Sequence, residues 1–325
     1  MSVLAHIKNN QIHPDVRKLG VVVRKLVPEM SAKFFRRGNW FMRHFAQRHF
    51  PKDMNVTEHW AQRPDGSRLR IIVAQPMQPK PLATGVLWLH GGGYAMEIPE
   101  IDLSYARHVQ AVSNAVVVMP DYRLSTEAPY PAALDDAYLA LRWMNDHHAA
   151  LGINPEQLFV AGESAGGGLT AALTLYARDQ GEIPIAFQMP LYPMLDDRPT
   201  ASSAENDAPI WNTKSNANAW RLYLGAAYRT DHVSPYAAPA RATDYRNLPP
   251  TYTFVGTIEP FYQETLTYIK HLQDAGVAAH CDVYDGWFHG VDIVAPKTAI
   301  AKKATAAWQA AFKAATEKYY WRHDG

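Results

Sequence analysis

Between Val16 and Met30 the apolar residues Val16, Leu19, Val23, Leu26 and Met30 step by three or four positions, the spacing of one helix face, with Pro28 placed to break or restart the helix. Helical structure is therefore expected up to about Phe50. The aromatic stretch Phe34-Phe35, Trp40-Phe41 and Phe45 has two compatible readings: packing on the body of the protein, or a lid over an apolar pocket. From Val56 to Gln75 two β-rich segments flank Pro64-Asp65-Gly66-Ser67, whose Asp-Gly pair signals a hairpin. Beyond it, short continuous apolar runs at Val86–Leu89, Ala115–Met119, Leu158–Ala161, Ile185–Met189 and Tyr252–Val255 alternate with helical stretches at Leu103–Val112, Pro131–Asn145, Leu169–Ala177 and Phe261–Leu272, and a last strand is expected at Ala278–Tyr284. Runs without polar alternation suit strands covered on both faces. The expected class is α/β, a mostly parallel central sheet flanked by helices.

Between Asp196 and Tyr228 this rhythm lapses into a polar stretch followed by Trp211, Trp220, Leu222 and Tyr223, which reads as an insertion. The expected organisation is a helical cap segment over residues 1–50, and a main domain over 51–325 with a cap insertion at about 196–228.

Composition narrows the field. With 32 basic and 31 acidic residues the chain is close to neutral, and its short Arg36-Arg37 and Lys302-Lys303 pairs read as solvated helix faces, so no nucleic-acid partner is expected. A single cysteine, Cys281, excludes an intramolecular disulfide and reads as a small apolar residue on a strand. The run Val21-Val22-Val23 is cut by Arg24-Lys25, too short for a signal or membrane segment. A cytoplasmic protein with no membrane partner is expected.

The chemistry concentrates in two glycine-rich motifs. Gly162-Glu163-Ser164-Ala165-Gly166 follows the run Leu158–Ala161 and precedes a helical pattern, the strand-turn-helix context of a nucleophile elbow. Such a sharp turn forces the serine into unfavourable backbone geometry and crowds its neighbours, so the flanking positions must be glycine. Residue frequencies give roughly 0.04 chance occurrences of this pattern, and placement strengthens it. His90-Gly91-Gly92-Gly93-Tyr94 follows the run Val86–Leu89, with roughly 0.003 chance matches. Its glycines let amide N–H groups approach a developing oxyanion, where each such donor contributes about 2.7–4 kcal/mol.

Together with Asp121-Tyr122-Arg123-Leu124, Tyr130-Pro131-Ala132-Ala133 and Ser234-Pro235, these motifs resemble the hormone-sensitive-lipase-like carboxylesterases, the bacterial family IV esterases of the α/β-hydrolase superfamily. The similarity runs from about Gly85 to Val291. It implies an α/β-hydrolase fold whose catalytic domain is the main domain above. It also implies that Gly92, Gly93 and Ala165 donate the oxyanion hydrogen bonds, with Gly91 shaping the turn and His90, Gly162 and Gly166 supporting the motifs.

Chain order in this fold places the acid and then the base after the serine, which excludes His90. Among the later histidines, His289 in Gly286-Trp287-Phe288-His289-Gly290 follows the last expected strand, at the carboxyl end where such sheets gather their chemistry. The acid departs from the family pattern. Where relatives place Asp-Pro-Leu, this chain reads Val255-Gly256-Thr257-Ile258-Glu259-Pro260-Phe261, so Glu259 is the expected triad acid, with Asp282 and Asp285 as rivals. Glu163, beside the nucleophile, is expected to be structural or to support the site, and Asp121, Arg123, Asp135 and Asp136 to form an internal polar network with helix-end charges.

The expected activity is hydrolysis of short to medium acyl esters through a serine acyl-enzyme, without metal or organic cofactor. Because the base must be neutral, activity is expected to rise with pH through the ordinary histidine range near about 6.5. The alternatives are an amidase, formamidase or lactonase using the same triad, and a non-catalytic ligand receptor on the same fold. The expected partner is a small-molecule ester, and an edge strand or the final helix could pair copies into a homodimer.

Overall fold

The structure, a computed structural model, describes residues 7–27, 29–45, 50–96 and 102–321. Within these, one sheet is built from β1 (Asn55–Gln62), β2 (Arg68–Gln75), β3 (Ala83–Leu89), β4 (Val116–Pro120), β5 (Ile153–Glu163), β6 (Phe187–Leu191), β7 (Thr251–Gly256) and β8 (Ala279–Tyr284). The helices are α1 (Arg17–Leu26), α2 (Ala32–Phe45), α3 (Leu103–Val112), α4 (Ala132–Asp146), α5 (His148–Leu151), α6 (Ala165–Gln180), α7 (Thr213–Leu224), α8 (Tyr262–Asp274), α9 (Val291–Val294) and α10 (Ala299–Lys318). Strand order is β1-β2-β4-β3-β5-β6-β7-β8. β2 runs antiparallel to both neighbours and every other pairing is parallel. This is the α/β-hydrolase arrangement expected from the sequence.

β3, β4, β6 and β7 are buried along their whole length, as continuous apolar runs require when helices cover both faces. Along β3, Leu87 and Leu89 join the core beneath α4 and α6, while Val86 and Trp88 join the opposite core beneath α3 and α10. The hairpin between β1 and β2 turns at residues 63–67, where the Asp65 carboxylate accepts the Ser67 N–H at 2.9 Å.

From β3 the chain moves one way to β4 and then the other way to β5, so the strand order reverses between β3 and β5. Loops leaving the carboxyl ends of the strands there splay apart and form the crevice in which open α/β sheets bind ligands. Register aligns Leu89 with Gly162, and Gly256 with Tyr284. The loop after β3 therefore meets the turn after β5, and the loops after β7 and β8 meet each other.

α1 packs closely on the body: a methyl group on Gly20 would meet the Phe288 ring at 2.9 Å. Between α1 and α2, the Met30 N–H donates to Ser215 Oγ of α7 at 2.9 Å, and on α2 Phe35 is fully buried while Asn39 Nδ2 donates to the Ala95 carbonyl at 2.8 Å. Phe34, Trp40 and Phe41 are exposed; Pro28 and the side chain of Phe45 lie outside the described residues. The stretch at 196–228 holds α7 and is tied to the loop after β7, with Ser202 Oγ donating to the Pro260 carbonyl at 2.6 Å and Asn206 Nδ2 to the Ile258 carbonyl at 3.1 Å. Cys281 lies half-buried on β8, and burial pushes its thiol up to about 12.

Candidate active site

β5 ends on Glu163 and α6 begins on Ala165, which leaves Ser164 alone to make the turn, at φ 58° and ψ −120°. That backbone conformation is unfavourable for a residue with a side chain and persists because its surroundings fix it. Ser164 N–H donates to the Leu191 carbonyl at 2.9 Å, and its own carbonyl accepts from Gly168 N–H at 3.0 Å and Met194 N–H at 2.9 Å. A side chain at Gly162 or Gly166 would collide with the Leu89 carbonyl. The elbow thus packs against the end of β3 so tightly that only glycine fits on either side of the serine.

Three side chains from three loops meet here. His289 Nε2 lies 2.7 Å from Ser164 Oγ, and His289 Nδ1 lies 2.7 Å from Glu259 Oε2. The second oxygen of Glu259 accepts the Gly256 N–H at 2.7 Å, which folds the longer glutamate side chain back onto its own turn. Glu259 is fully buried, and Gly256 has no room for a methyl group because the Trp287 carbonyl of the histidine loop presses against it. The extra methylene of glutamate is absorbed by this compact turn. The rival acids are engaged elsewhere: Asp282 accepts from Tyr252 OH at 2.6 Å, and Asp285 from Thr257 Oγ1 at 3.1 Å.

The loop after β3 sits beside this triplet. Gly92 (φ 97°) and Gly93 (φ 63°) occupy left-handed conformations and line the same pocket as Ser164, and their N–H groups meet no acceptor among the described residues. Ala165 opens α6, so its N–H is likewise outside the helical ladder. His90 is buried under Tyr122, ring centroids 4.1 Å apart, and burial pulls it down to about 4, so it stays neutral.

Glu163 grips the same loop. Its Oε1 accepts the Gly91 N–H in a short hydrogen bond and its Oε2 accepts Trp88 Nε1–H at 3.1 Å. Trp88 Nε1–H is shared with Asp102 Oδ2 at 3.2 Å. Burial raises the Glu163 carboxyl well above its ordinary range, with Asp102 adding to the effect, and pushes Asp102 up to about 7. Two buried carboxyls meeting over one indole N–H hold on to protons, and the glutamate beside Ser164 braces the loop.

A second buried network was not anticipated. Tyr192 OH and Tyr105 OH lie 2.7 Å apart and both donate to Asp292, Tyr105 to Oδ2 at 2.8 Å and Tyr192 at 3.0 Å. The Tyr192 and His289 rings meet nearly at right angles, centroids 5.1 Å apart. Burial pushes Asp292 up to about 6. Asp292, three residues past the histidine, carries no local sequence mark; only the fold brings Tyr105 and Tyr192 onto it.

A pocket of about 210 Å³ opens over Ser164, with Met30, Met96, Ile210, Trp211, Ile293 and Val294 among its walls. Trp211 rests on Gly93, where a methyl group would strike its ring. Trp220 goes elsewhere: it packs with Tyr94 and Tyr223 and lines a separate cleft of about 410 Å³ beside the Arg241–Asp197 ion pair. Asp136 accepts from both Arg63 and Arg123, away from Ser164. Among the described residues no group of three or more His, Cys, Asp or Glu side chains is arranged to hold a metal ion.

Residues 86–293 match the family model described as alpha/beta hydrolase fold. Esterase LipI of Mycobacterium tuberculosis is 38% identical over 207 residues, spanning 63% of this chain and 64% of that protein. Carboxylesterase NlhH of the same species is 36% identical over 236 residues, spanning 71% of this chain and 73% of its own length. Among solved structures, a bacterial heroin esterase superposes with a TM-score of 0.83 at 29% identity, covering 97% of this chain and 99% of that one. The chain therefore belongs to the alpha/beta hydrolase fold family and, within it, to the hormone-sensitive-lipase-like carboxylic ester hydrolases, which are serine hydrolases.

Proposed function

We propose that this chain hydrolyses short to medium acyl esters through a covalent acyl-serine intermediate, with Ser164 as nucleophile, His289 as base and Glu259 as the acid that orients it. The observation that carries this reading is the unbroken contact Glu259–His289–Ser164, each link 2.7 Å. His289 Nε2 takes the hydroxyl proton as Oγ attacks the ester carbonyl. The oxyanion forms facing the N–H groups of Gly92, Gly93 and Ala165. Collapse of this adduct breaks the bond to the alcohol oxygen, which leaves with the proton now on His289 Nε2. A water molecule then gives its proton to the same nitrogen, attacks the acyl carbon and releases the carboxylic acid, and the proton returns to Ser164. Glu259 stays ionised throughout, holding Nδ1–H and stabilising the imidazolium.

The pocket walls favour an uncharged, apolar acyl or alcohol group. The helices of residues 1–50 and the 196–228 stretch together form a cap: Met30 and Trp211 enter the pocket from these two segments. The test is a series of p-nitrophenyl esters of increasing acyl length. We expect kcat/KM to be highest at or below about six acyl carbons and to fall toward twelve, because each methylene outside the walls gains nothing. Turnover should vanish in Ser164→Ala. Undiminished turnover in that variant would overturn the reading.

A further inference from the structure

Fourteen large apolar side chains are more than a third exposed among the described residues, and they are unevenly spread. Six of them, Leu19, Val22, Leu26, Phe34, Trp40 and Phe41, belong to α1 and α2, and two more, Ile293 and Val294, stand at the pocket. Leu19, Val22 and Leu26 fall on one stripe of α1 by helical spacing. The same two helices concentrate charge. Between Arg17 and Arg43 there are eight Lys or Arg and a single acid, Glu29, although the whole chain has 32 basic and 31 acidic residues. Lys18, Lys25, Lys33, Arg36 and Arg37 are all exposed.

We propose that this face is a docking surface for an anionic phospholipid bilayer, with α1 and α2 lying in the headgroup layer and the pocket mouth turned toward the membrane. Basic amphipathic helices with exposed Leu, Phe and Trp bind in this manner: apolar side chains enter the acyl boundary while Lys and Arg meet anionic headgroups. The helices present the face from fixed positions, since Phe35, Asn39 and Met30 tie them to the body. Met30, between the helices, shares the pocket with Ile293 and Val294, so the patch is continuous with the mouth. Among the described residues no helix is long and apolar enough to cross a membrane; this contact lies on a bilayer and does not span it.

Charge complementarity selects this occupant. A second copy of the chain in two-fold contact through this face would set one basic surface against another. A nucleic acid would match the charge but leave Leu19, Val22 and Leu26 without a partner, because single strands stack on aromatic rings. The expectation of no membrane partner came from the lack of a long apolar run and of any segment that reads as an interfacial anchor; the exposure of the apolar side chains on α1 and α2, which reverses the second ground, becomes visible only once the helices are folded onto the body.

The test is cosedimentation of the full chain with phosphatidylcholine vesicles, with and without about one third phosphatidylglycerol, at low and high salt. We expect sedimentation with the anionic vesicles only, weakened at least about tenfold by raising salt from about 0.1 to about 0.5 M. Trp40→Ser/Phe41→Ser and, separately, Lys33→Glu/Arg36→Glu/Arg37→Glu should each lower binding at least about tenfold, while turnover of a water-soluble ester without vesicles stays at the wild-type level and shows the variants folded. No sedimentation with anionic vesicles, or binding that neither variant weakens, overturns the proposal. So does retention of single-stranded oligonucleotide in place of vesicles, or a dimer that the Trp40→Ser/Phe41→Ser variant dissociates. Ester turnover is read separately, so a failure of membrane binding is distinct from a failure of the catalytic reading.

Discussion

At the scale of single residues, the side chains that motif and chain order single out, Ser164, His289 and Glu259, are the ones the fold brings into contact. They were legible because a serine between obligatory glycines and a histidine after the last strand are positions with few alternatives. Glu259 was harder. A glutamate in place of aspartate fits only because its second oxygen folds onto Gly256 N–H, a detail no sequence pattern encodes. If Glu259 orients His289 as proposed, replacing it with alanine lowers kcat by about 10³–10⁴-fold with KM changed only a few-fold, and steady-state kinetics measure this. An unchanged kcat would hand the role to another acid. The acids behind the site were illegible because their character comes from burial. Asp102 is raised to about 7, so the native state binds its proton more tightly than the unfolded chain does. The stability it contributes is full below the ordinary value of 3.8 and is lost as pH rises through about 7. Melting curves from pH 5 to 8 should therefore fall less steeply in Asp102→Asn, by about 2–4 °C or more at the upper end. Parallel curves would contradict this origin.

At the scale of elements, the apolar runs marked β3 to β7, because a strand covered on both faces has no polar alternation to confuse the reading, whereas the edge strand β8 is only partly buried and carries polar residues. The hairpin was legible from Asp65-Gly66. The final helix has no bounds in the periodicity, although Ile300, Ala304, Trp308 and Phe312 recur along the buried face of α10; the many alanines between them blunt the contrast between buried and exposed sides. α9 is a single turn that follows from the histidine loop rather than from its own four residues. Side-by-side placement of the two glycine motifs, separated by about seventy residues of chain, depends on β3 pairing with β5, which the sequence does not specify. That close approach can be probed. Gly166→Ala would drive a methyl group into the Leu89 and His90 carbonyls, so soluble yield or turnover should collapse. Gly38→Ala on α2 meets open space and should retain activity while stabilising the helix by about 0.5–1 kcal/mol. Circular dichroism melts and ester turnover on both variants separate the two; a fully active Gly166→Ala would contradict the packing argument.

At the scale of the whole molecule, four loops from the carboxyl ends of β3, β5, β7 and β8 converge beside the reversal of strand order, and the segment between α1 and α2 and the one before α7 add Met30 and Trp211 to the pocket walls. Sequence patterns suggested that these aromatic-rich segments could close a pocket, but not which rings enter it: Trp211 does, while Trp220 turns to a different cleft. The walls of about 210 Å³ and the bracing of the glycine loop by Glu163 acquire meaning only if Ser164 is chemically reactive. The most direct measurement is intact-protein and peptide mass spectrometry after exposure to a fluorophosphonate. One phosphonyl adduct located on Ser164, absent from Ser164→Ala and strongly slowed in His289→Ala, is the expected result. Folded wild-type protein that gains no adduct, or gains it at another residue, would contradict the account.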